Sequence, residues 1–269
     1  MRDNSLQNSR AKQMIIRFLG THSARSSDTQ SVSFIVDDIL AVDAGNIVSG
    51  LSFAEQGHIR AILLSHGHYD HIRDIPDFAF NNTDRTTRVF ATPQTLDILS
   101  SHLMDGVIYP RFTEKFGYID RPALELCPLE LLTVRNIEGY EVMAVPVKHP
   151  IEAVGFEITS QKCKRIFYTG DTGPGLSSVW QHVRPDHLII EVTLPNRFCK
   201  EAEICGHLCP EMLKKELLEF RKIRGYLPPT YLVHLSPKFE KDIHEEAQIV
   251  SQELDVPVRV LNEGESLSI

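Results

Sequence analysis

Apolar residues in this chain gather in short runs, most of them too brief to be helices. Residues 14–20, 32–36, 39–43 and 61–64 are four such runs, rich in Ile, Val, Leu and Phe. Runs of this length bounded by polar or turn residues predict strands, the most apolar of them buried. The period then changes. Ile72, Ile75, Phe78 and Ala79 share one face of a helix predicted over residues 71–81. A strand near 88–91 leads into a helix near 93–103. The segment 104–138 has mixed charge and several prolines, and reads as long and irregular. Strands return near 140–147, 153–159, 164–168 and 187–192. A helix starts near Pro210, with Leu213, Leu217 and Phe220 inward. A strand near 230–233 precedes a helix near 241–253, whose stripe is Ile243, Ala247, Val250 and Leu254. Strands near 258–261 and 265–269 close the chain. Strands dominate each half and helices follow in both. Two sheets packed face to face, with helices outside, satisfy that order in an α/β (α+β) fold.

The 269 residues, 42% of them hydrophobic, suffice for one sizeable core. Neither a Ser/Gly/Pro-rich linker nor an internal repeat divides them, so residues 14–269 read as a single domain. Residues 1–13 are polar and without periodicity, which predicts a floppy tail, and they lack the apolar stretch of a secretory signal. No apolar run reaches membrane-spanning length. A cytoplasmic protein is the expectation. The net charge is −8 and a basic stripe is missing, which argues against a grip on long nucleic acid. An anionic substrate would have to be small.

Chemistry concentrates in residues 65–72, Ser-His-Gly-His-Tyr-Asp-His-Ile. His66, His68, Asp70 and His71 sit where a buried strand turns into a helix. Imidazole and carboxylate together suit zinc, manganese or iron. Four such groups in six positions exceed what one open tetrahedral site takes from a single turn, and two metals sharing the turn explain them most simply. Three more candidates each follow a strand: His149 after 140–147, Asp171 after 164–168 and His234 after 230–233. Strand ends on a rigid sheet are where α/β proteins place reactive side chains.

These residues carry a resemblance. His66-x-His68-x-Asp70-His71, His149, Gly170-Asp171-Thr172 and His234 resemble the metallo-β-lactamase superfamily. So does the opening, Ile16 to Thr21, Ser33 to Val36 and Leu40 to Gly45. The resemblance runs from about Met14 to the C-terminus and departs at Arg73-Asp74, near the pocket floor. It implies a four-layer αββα sandwich with metals at one edge. It implies one divalent ion on His66, His68 and His149, a second on Asp70, His71 and His234, and Asp171 bridging them. Such a pair, about 3.5–4 Å apart, activates a shared water. Zinc is the default cofactor, with manganese or iron as alternatives. An imidazole at His68, where redox relatives tend to carry a carboxylate, favours hydrolysis.

Between Asp171 and His234 lie the residues that bear on the reaction. Glu191 ends a predicted strand, and His207 precedes a helix N-terminus with Pro210 and Glu211 in its first turn. Glu191 could orient His207 and keep it cationic, and His207 could protonate a leaving alkoxide. Each also has a plainer reading, a helix-start residue and a locally paired carboxylate. Pro195-Asn196-Arg197 and Gly206-His207-Leu208 resemble the class II 3′,5′-cyclic-nucleotide phosphodiesterases, although Cys209 replaces their usual threonine. Glu191-Val192-Thr193 and His234-Leu235-Ser236 also resemble the transfer-RNA 3′-processing endonucleases. Those carry a basic arm, whereas residues 104–138 hold Arg111, Lys115, Arg121 and Arg135 against six acids. The resemblance therefore implies a dinuclear hydrolase that opens a small cyclic nucleotide to a 5′-monophosphate. Asp70 would orient the attacking water, with His207 as acid and Glu191 as its orienter. A cyclic-dinucleotide phosphodiesterase, a tRNA-trimming nuclease, a thioester or lactone hydrolase and a catalytically dead nucleotide-binding scaffold are the alternatives. Homodimers are common in the family.

Five cysteines, Cys127, Cys163, Cys199, Cys205 and Cys209, are an odd number that fits reduced thiols better than a disulfide framework. Cys205 and Cys209 flank His207 as a Cys-x-His-x-Cys zinc candidate, but a fourth ligand is missing nearby, and buried inert thiols are the expectation.

Overall fold

Strand pairing joins the apolar runs into two mixed sheets. The computed structural model describes residues 13–115 and 120–269. The expected tail over residues 1–13 lies outside them, apart from Gln13. The first sheet holds β1 (Ile15–Gly20), β2 (Ser33–Val36), β3 (Leu40–Val42), β4 (Ala61–Leu63), β5 (Thr87–Ala91) and β6 (Leu124–Pro128). The second holds β7 (Val134–Ile137), β8 (Tyr140–Val147), β9 (Ala153–Thr159), β10 (Arg165–Tyr168), β11 (His187–Glu191), β12 (Thr230–Val233) and β13 (Val258–Val260). The last strand, β14 (Ser266–Ser268), returns to the first sheet beside β1, giving the orders β14-β1-β2-β3-β4-β5-β6 and β13-β12-β11-β10-β9-β8-β7. From β3 to β6 and from β10 to β13 the neighbours run parallel.

Alternation along each strand decides which layer a side chain enters. On β10, Ile166 and Tyr168 point between the sheets while Phe167 points to the outer layer. On β11, Ile189 faces inward while Leu188 and Ile190 face out. The inner layer includes Phe18, Phe34, Phe156 and Tyr168, and the Phe34 and Tyr168 rings meet edge-on at 5.2 Å. Strands buried on both faces are continuous apolar runs for this reason. Helices cover the outer faces: α1 (Phe53–Gln56), α3 (Ile75–Asn81) and α4 (Pro93–Ile98) on the first sheet. On the second sheet lie α5 (Ser177–Trp180), α7 (Pro210–Arg224) and α8 (Glu240–Leu254). The expected αββα sandwich is present.

Two local expectations are corrected. The helix over 71–81 is two helices, α2 (Tyr69–Ile72) and α3. Pro76 has no N–H to continue a ladder, and the Asp74 N–H donates instead to Ala44 O at 3.0 Å. The segment 104–138 is not irregular throughout, because it contains β6 and β7, one edge strand of each sheet. Charges and prolines are usual on edges and dilute the strand signal. The brief helices α1, α5 and α6 (Cys199–Cys205) have too few turns to show a period.

Candidate metal centre

The candidate ligands converge at one end of the sandwich, on turns that follow β4, β8, β10 and β12. Close approach there demands glycine. Gly170 has φ +61°, and a Cβ on it would lie 2.9 Å from Ser65 Cβ and from Val154 O. His68 Nδ1 lies 3.1 Å from His66 Nε2 and 3.1 Å from His149 Nε2, so three imidazole nitrogens surround one point. Asp70 Oδ2 lies 3.3 Å from His234 Nε2 and 3.6 Å from His71 Nε2, around a second. Asp171 Oδ2 stands between the groups, 3.6 Å from His66 Nε2, 3.3 Å from His71 Nε2 and 3.2 Å from His234 Nε2.

Outer partners decide which nitrogen each ring presents. His71 Nδ1–H donates to Asp43 Oδ2 at 2.8 Å, and His149 Nδ1–H donates to Gly206 O at 3.0 Å. His66 Nδ1 meets Ser65 Oγ at 3.0 Å, a hydroxyl whose own proton goes to Asp43. His234 Nδ1 meets Thr193 Oγ1 at 2.8 Å, a hydroxyl that donates to Glu191 Oε2 at 2.9 Å. All four rings therefore turn Nε2 inward, the nitrogen left for a metal. Buried Asp171 Oδ1 has no hydrogen-bond partner, which is costly unless a cation fills the centre. The donor set thus fits bound divalent metal.

Electrostatics agree. Burial, helped by the neighbouring His71 charge, pushes His66 well below its ordinary value, and burial lowers His68 and His149 too. Neutral imidazoles are ligands. Burial opposes ionisation of Asp171, but His234 and His71 outweigh it and hold the carboxyl well below the usual range. Burial also opposes a charge on His71, yet Asp171 and Asp43 on either side raise it well above the ordinary histidine value.

His207 stands beside this group. Its Nδ1 lies 2.8 Å from Glu191 Oε1, and its ring stacks 5.1 Å from that of His234. Burial alone would lower its pKa, but Glu191 reverses that and pushes it up to about 9. Glu191 is fully buried and also accepts from the backbone N–H groups of Thr172 and Leu208.

A family model described as the beta-lactamase superfamily domain matches residues 42–213. The chain belongs to this superfamily. The matched stretch holds the candidate ligands except His234. A Ribonuclease Z from Methanocaldococcus jannaschii is 27% identical over 164 residues, 57% of this chain and 50% of that protein. A UPF0173 metal-dependent hydrolase from Polaromonas is 22% identical over 184 residues, 66% of each. The chain thus spans about half to two thirds of the curated relatives it matches. Among solved structures, unliganded yeast PDE1 superposes with a TM-score of 0.81 at 17% identity, covering 96% of this chain and 100% of that one. The short form of human tRNase Z gives 0.64 at 19% identity, covering 95% and 99%. At these identities the likeness establishes the fold.

The structure brings all seven residues expected as ligands, with His207 and Glu191, into one cluster. Among the described residues, no helix is long and apolar enough to cross a membrane. The sequence reasoning did not single out Asp43, Ser65, Tyr168, Thr193 or the Gly206 carbonyl as parts of the site. Asp43 accepts from Ser65 N and Oγ at 2.8 Å each and from the Tyr168 hydroxyl at 2.7 Å. Its one local signal was an acid closing an apolar strand. The Gly206 carbonyl has no side chain to betray it. Gly206 itself is required, since at φ +76° a Cβ would lie 2.5 Å from Pro150 Cδ and 3.2 Å from His149 Nδ1.

The expectations of five reduced thiols, and of Cys205 and Cys209 as buried inert ones, are corrected. Cys199 and Cys209 form a disulfide, and Cys163 and Cys205 are exposed, which leaves Cys127 as the buried free thiol. Sequence spacing did not show that α6 doubles back onto the start of α7. The bonded Cys209 is not available to a Cys205–His207–Cys209 zinc site.

Proposed function

We propose that the protein is a dinuclear metal-dependent phosphodiesterase that hydrolyses a small 3′,5′-cyclic nucleotide to the 5′-monophosphate. The observation that carries this reading is the Glu191–His207 pair, 2.8 Å apart and stacked against His234 at the edge of the ligand cluster. His66, His68 and His149 would hold one divalent cation and Asp70, His71 and His234 the other, with Asp171 beside both sets. Zinc suits this set, as do manganese and iron. Bound, the two cations supply charge neutralisation to the phosphodiester and activate water. Asp70 accepts a hydrogen bond from the attacking water and so aims it at phosphorus. His207 keeps Nδ1–H on Glu191, which turns Nε2 to the departing 3′-oxygen. A histidine held near pKa 9 carries the proton that this oxygen needs at neutral pH. Glu191 stabilises that cation and, through Thr193, also aims His234.

The fold is shared with yeast PDE1, and the Pro195-Asn196-Arg197 and Gly206-His207-Leu208 segments support the cyclic-nucleotide reading. A second reading, RNA 3′-end cleavage, draws on the Ribonuclease Z relative. The net charge of −8 weighs against it, because an RNA duplex is gripped through its phosphates. A small phosphodiester is the proposed partner.

The test offers metal-reconstituted protein cyclic AMP, cyclic GMP, a cyclic dinucleotide and precursor tRNA side by side, with products resolved by chromatography. A 5′-monophosphate from a cyclic mononucleotide is expected. Turnover of precursor tRNA alone would favour the second reading, and a 3′-monophosphate would exclude the assigned leaving group.

A further inference from the structure

The segment that carries His207 is closed by a covalent bond. Cys199 opens α6 and Cys209 is the N-cap residue of α7, with their sulfurs bonded and their Cα atoms 5.5 Å apart. Inside that loop lie His207 and Gly206, the latter holding His149 through its carbonyl. The entry to α6 is held by Asn196, which accepts from the Glu211 N–H at 2.7 Å, by the Arg197–Asp242 ion pair and by Phe198 packed on Phe239, but the helix itself is poorly seated. Ala202 is its one buried side chain; Ile204 is 81% exposed, and Lys200, Glu201, Glu203 and Cys205 face solvent. A helix this short is marginal in water unless an apolar face packs. Yet its last turn frames the acid. The His207 N–H donates to Ala202 O at 2.8 Å and the Gly206 N–H to Glu203 O at 3.1 Å. By contrast α7 is well seated, with Leu213, Leu217 and Phe220 fully buried. The disulfide ties a weakly packed helix to a firmly packed one and narrows the conformations open to the loop between them.

We propose that the Cys199–Cys209 bond is a redox-sensitive positioning element for His207, opened by a small dithiol. Its catalytic consequence rests on the phosphodiesterase reading above. Cys209 is fully buried and Cys199 only partly, so the Cys199 sulfur is the one we assign to an incoming thiolate. The S–S bond breaks, and Cys209 leaves as a thiolate and takes up a proton. The second thiol of the dithiol then displaces Cys199, which is protonated in turn. The protein gains two electrons and two protons, and the dithiol becomes a disulfide. α6 then loosens, and with it the frame that aims His207.

The experiment uses the full chain with zinc supplied in excess, before and after dithiothreitol, with the linkage read by peptide mapping. Two substrates separate acid catalysis from the rest. A cyclic mononucleotide expels an alkoxide that needs a proton, whereas bis(p-nitrophenyl) phosphate expels a phenolate that does not. Reduction is expected to lower kcat on the cyclic nucleotide by about tenfold or more, part of the full loss of an acid. The excess zinc offsets any loosening of the Gly206–His149 contact, so turnover of the nitrophenyl ester and zinc per chain should hold. C199S/C209S should reproduce the loss without a chelating dithiol, C205S should match the unaltered protein, and H207A should show no further loss on reduction. Equal losses on the two substrates, a loss that persists in H207A, or the absence of a 199–209 linkage in air-oxidised protein would overturn the proposal. If neither substrate is turned over, the phosphodiesterase reading fails by itself, and hydrogen exchange then judges the bond. Faster exchange over residues 200–208 than over α7 upon reduction supports the positioning role, and unchanged exchange there refutes it.

Discussion

Asp43 and His71 meet at the floor of the metal centre, Oδ2 to Nδ1 at 2.8 Å, both without solvent exposure. The same carboxylate takes protons from Ser65 and Tyr168, so four donors point at one side chain. It thereby aims two ligands, His71 directly and His66 through Ser65.

Asp43→Asn replaces one acceptor oxygen by an amide NH2 that must face a donor. Metal affinity should fall by about 10–100-fold, the usual effect of losing an outer partner of a ligating histidine. Stability should fall by about 1–3 kcal/mol for the mismatched buried bond. Competition with a chelator and thermal unfolding measure the two. Unaltered affinity would mean that His71 holds its orientation without Asp43.

His207→Ala should slow turnover of a cyclic nucleotide by about 10²–10⁴-fold, the range for a lost acid. Metal content, read by elemental analysis, should stay as it was. A mutant that arrives without metal would place His207 among the ligands, a role open to it because it lies with Asp171 and His234.

Glu191→Gln tests the pH profile. His207 acts in its protonated form, so the rate is flat below its pKa and falls as pH rises through about 9. Removing the carboxylate removes what counters burial, and the basic limb should move toward acid. The pair's contribution to folding has the same sign. It is complete below the unfolded value of about 6.5 and fades as pH climbs through about 9. An unmoved limb in the Gln variant would detach the profile from this pair.

Metal uptake should release protons. His71 holds its proton between Asp43 and Asp171 well above the ordinary histidine value, and a cation on Nε2 must displace it. Affinity should therefore weaken as pH falls. Chelation should lower the unfolding temperature reversibly, because metal binds only the folded cluster. A pH-indicator titration with zinc in weak buffer would show the release, and its absence would mean that His71 is neutral beforehand.

Much of the fold was legible because strand burial is written into composition. β10, β11 and β12 lie in the middle of their sheet, buried on both faces, and appear as unbroken apolar runs. The edge strands β6 and β7 face solvent on one side, and their polar residues hid them. α6 could not be seen because it buries only Ala202. The Cys199–Cys209 bond followed it out of sight, since spacing says nothing of a helix that reverses.

The ligands themselves were readable one by one, as histidines and aspartates closing strands, because metal binding demands particular side-chain atoms. The chain order alone established those residue types, their strand-end positions and the two-sheet architecture with helices outside. Folding decided that Asp171 stands within 3.6 Å of three rings from two distant segments, and that one buried Glu191 serves both His207 and, through Thr193, His234. Such relationships depend on distances across sheets and on backbone carbonyls such as that of Gly206. Neither leaves a local mark, because the partners are far apart in the chain and the acceptors are common to every residue.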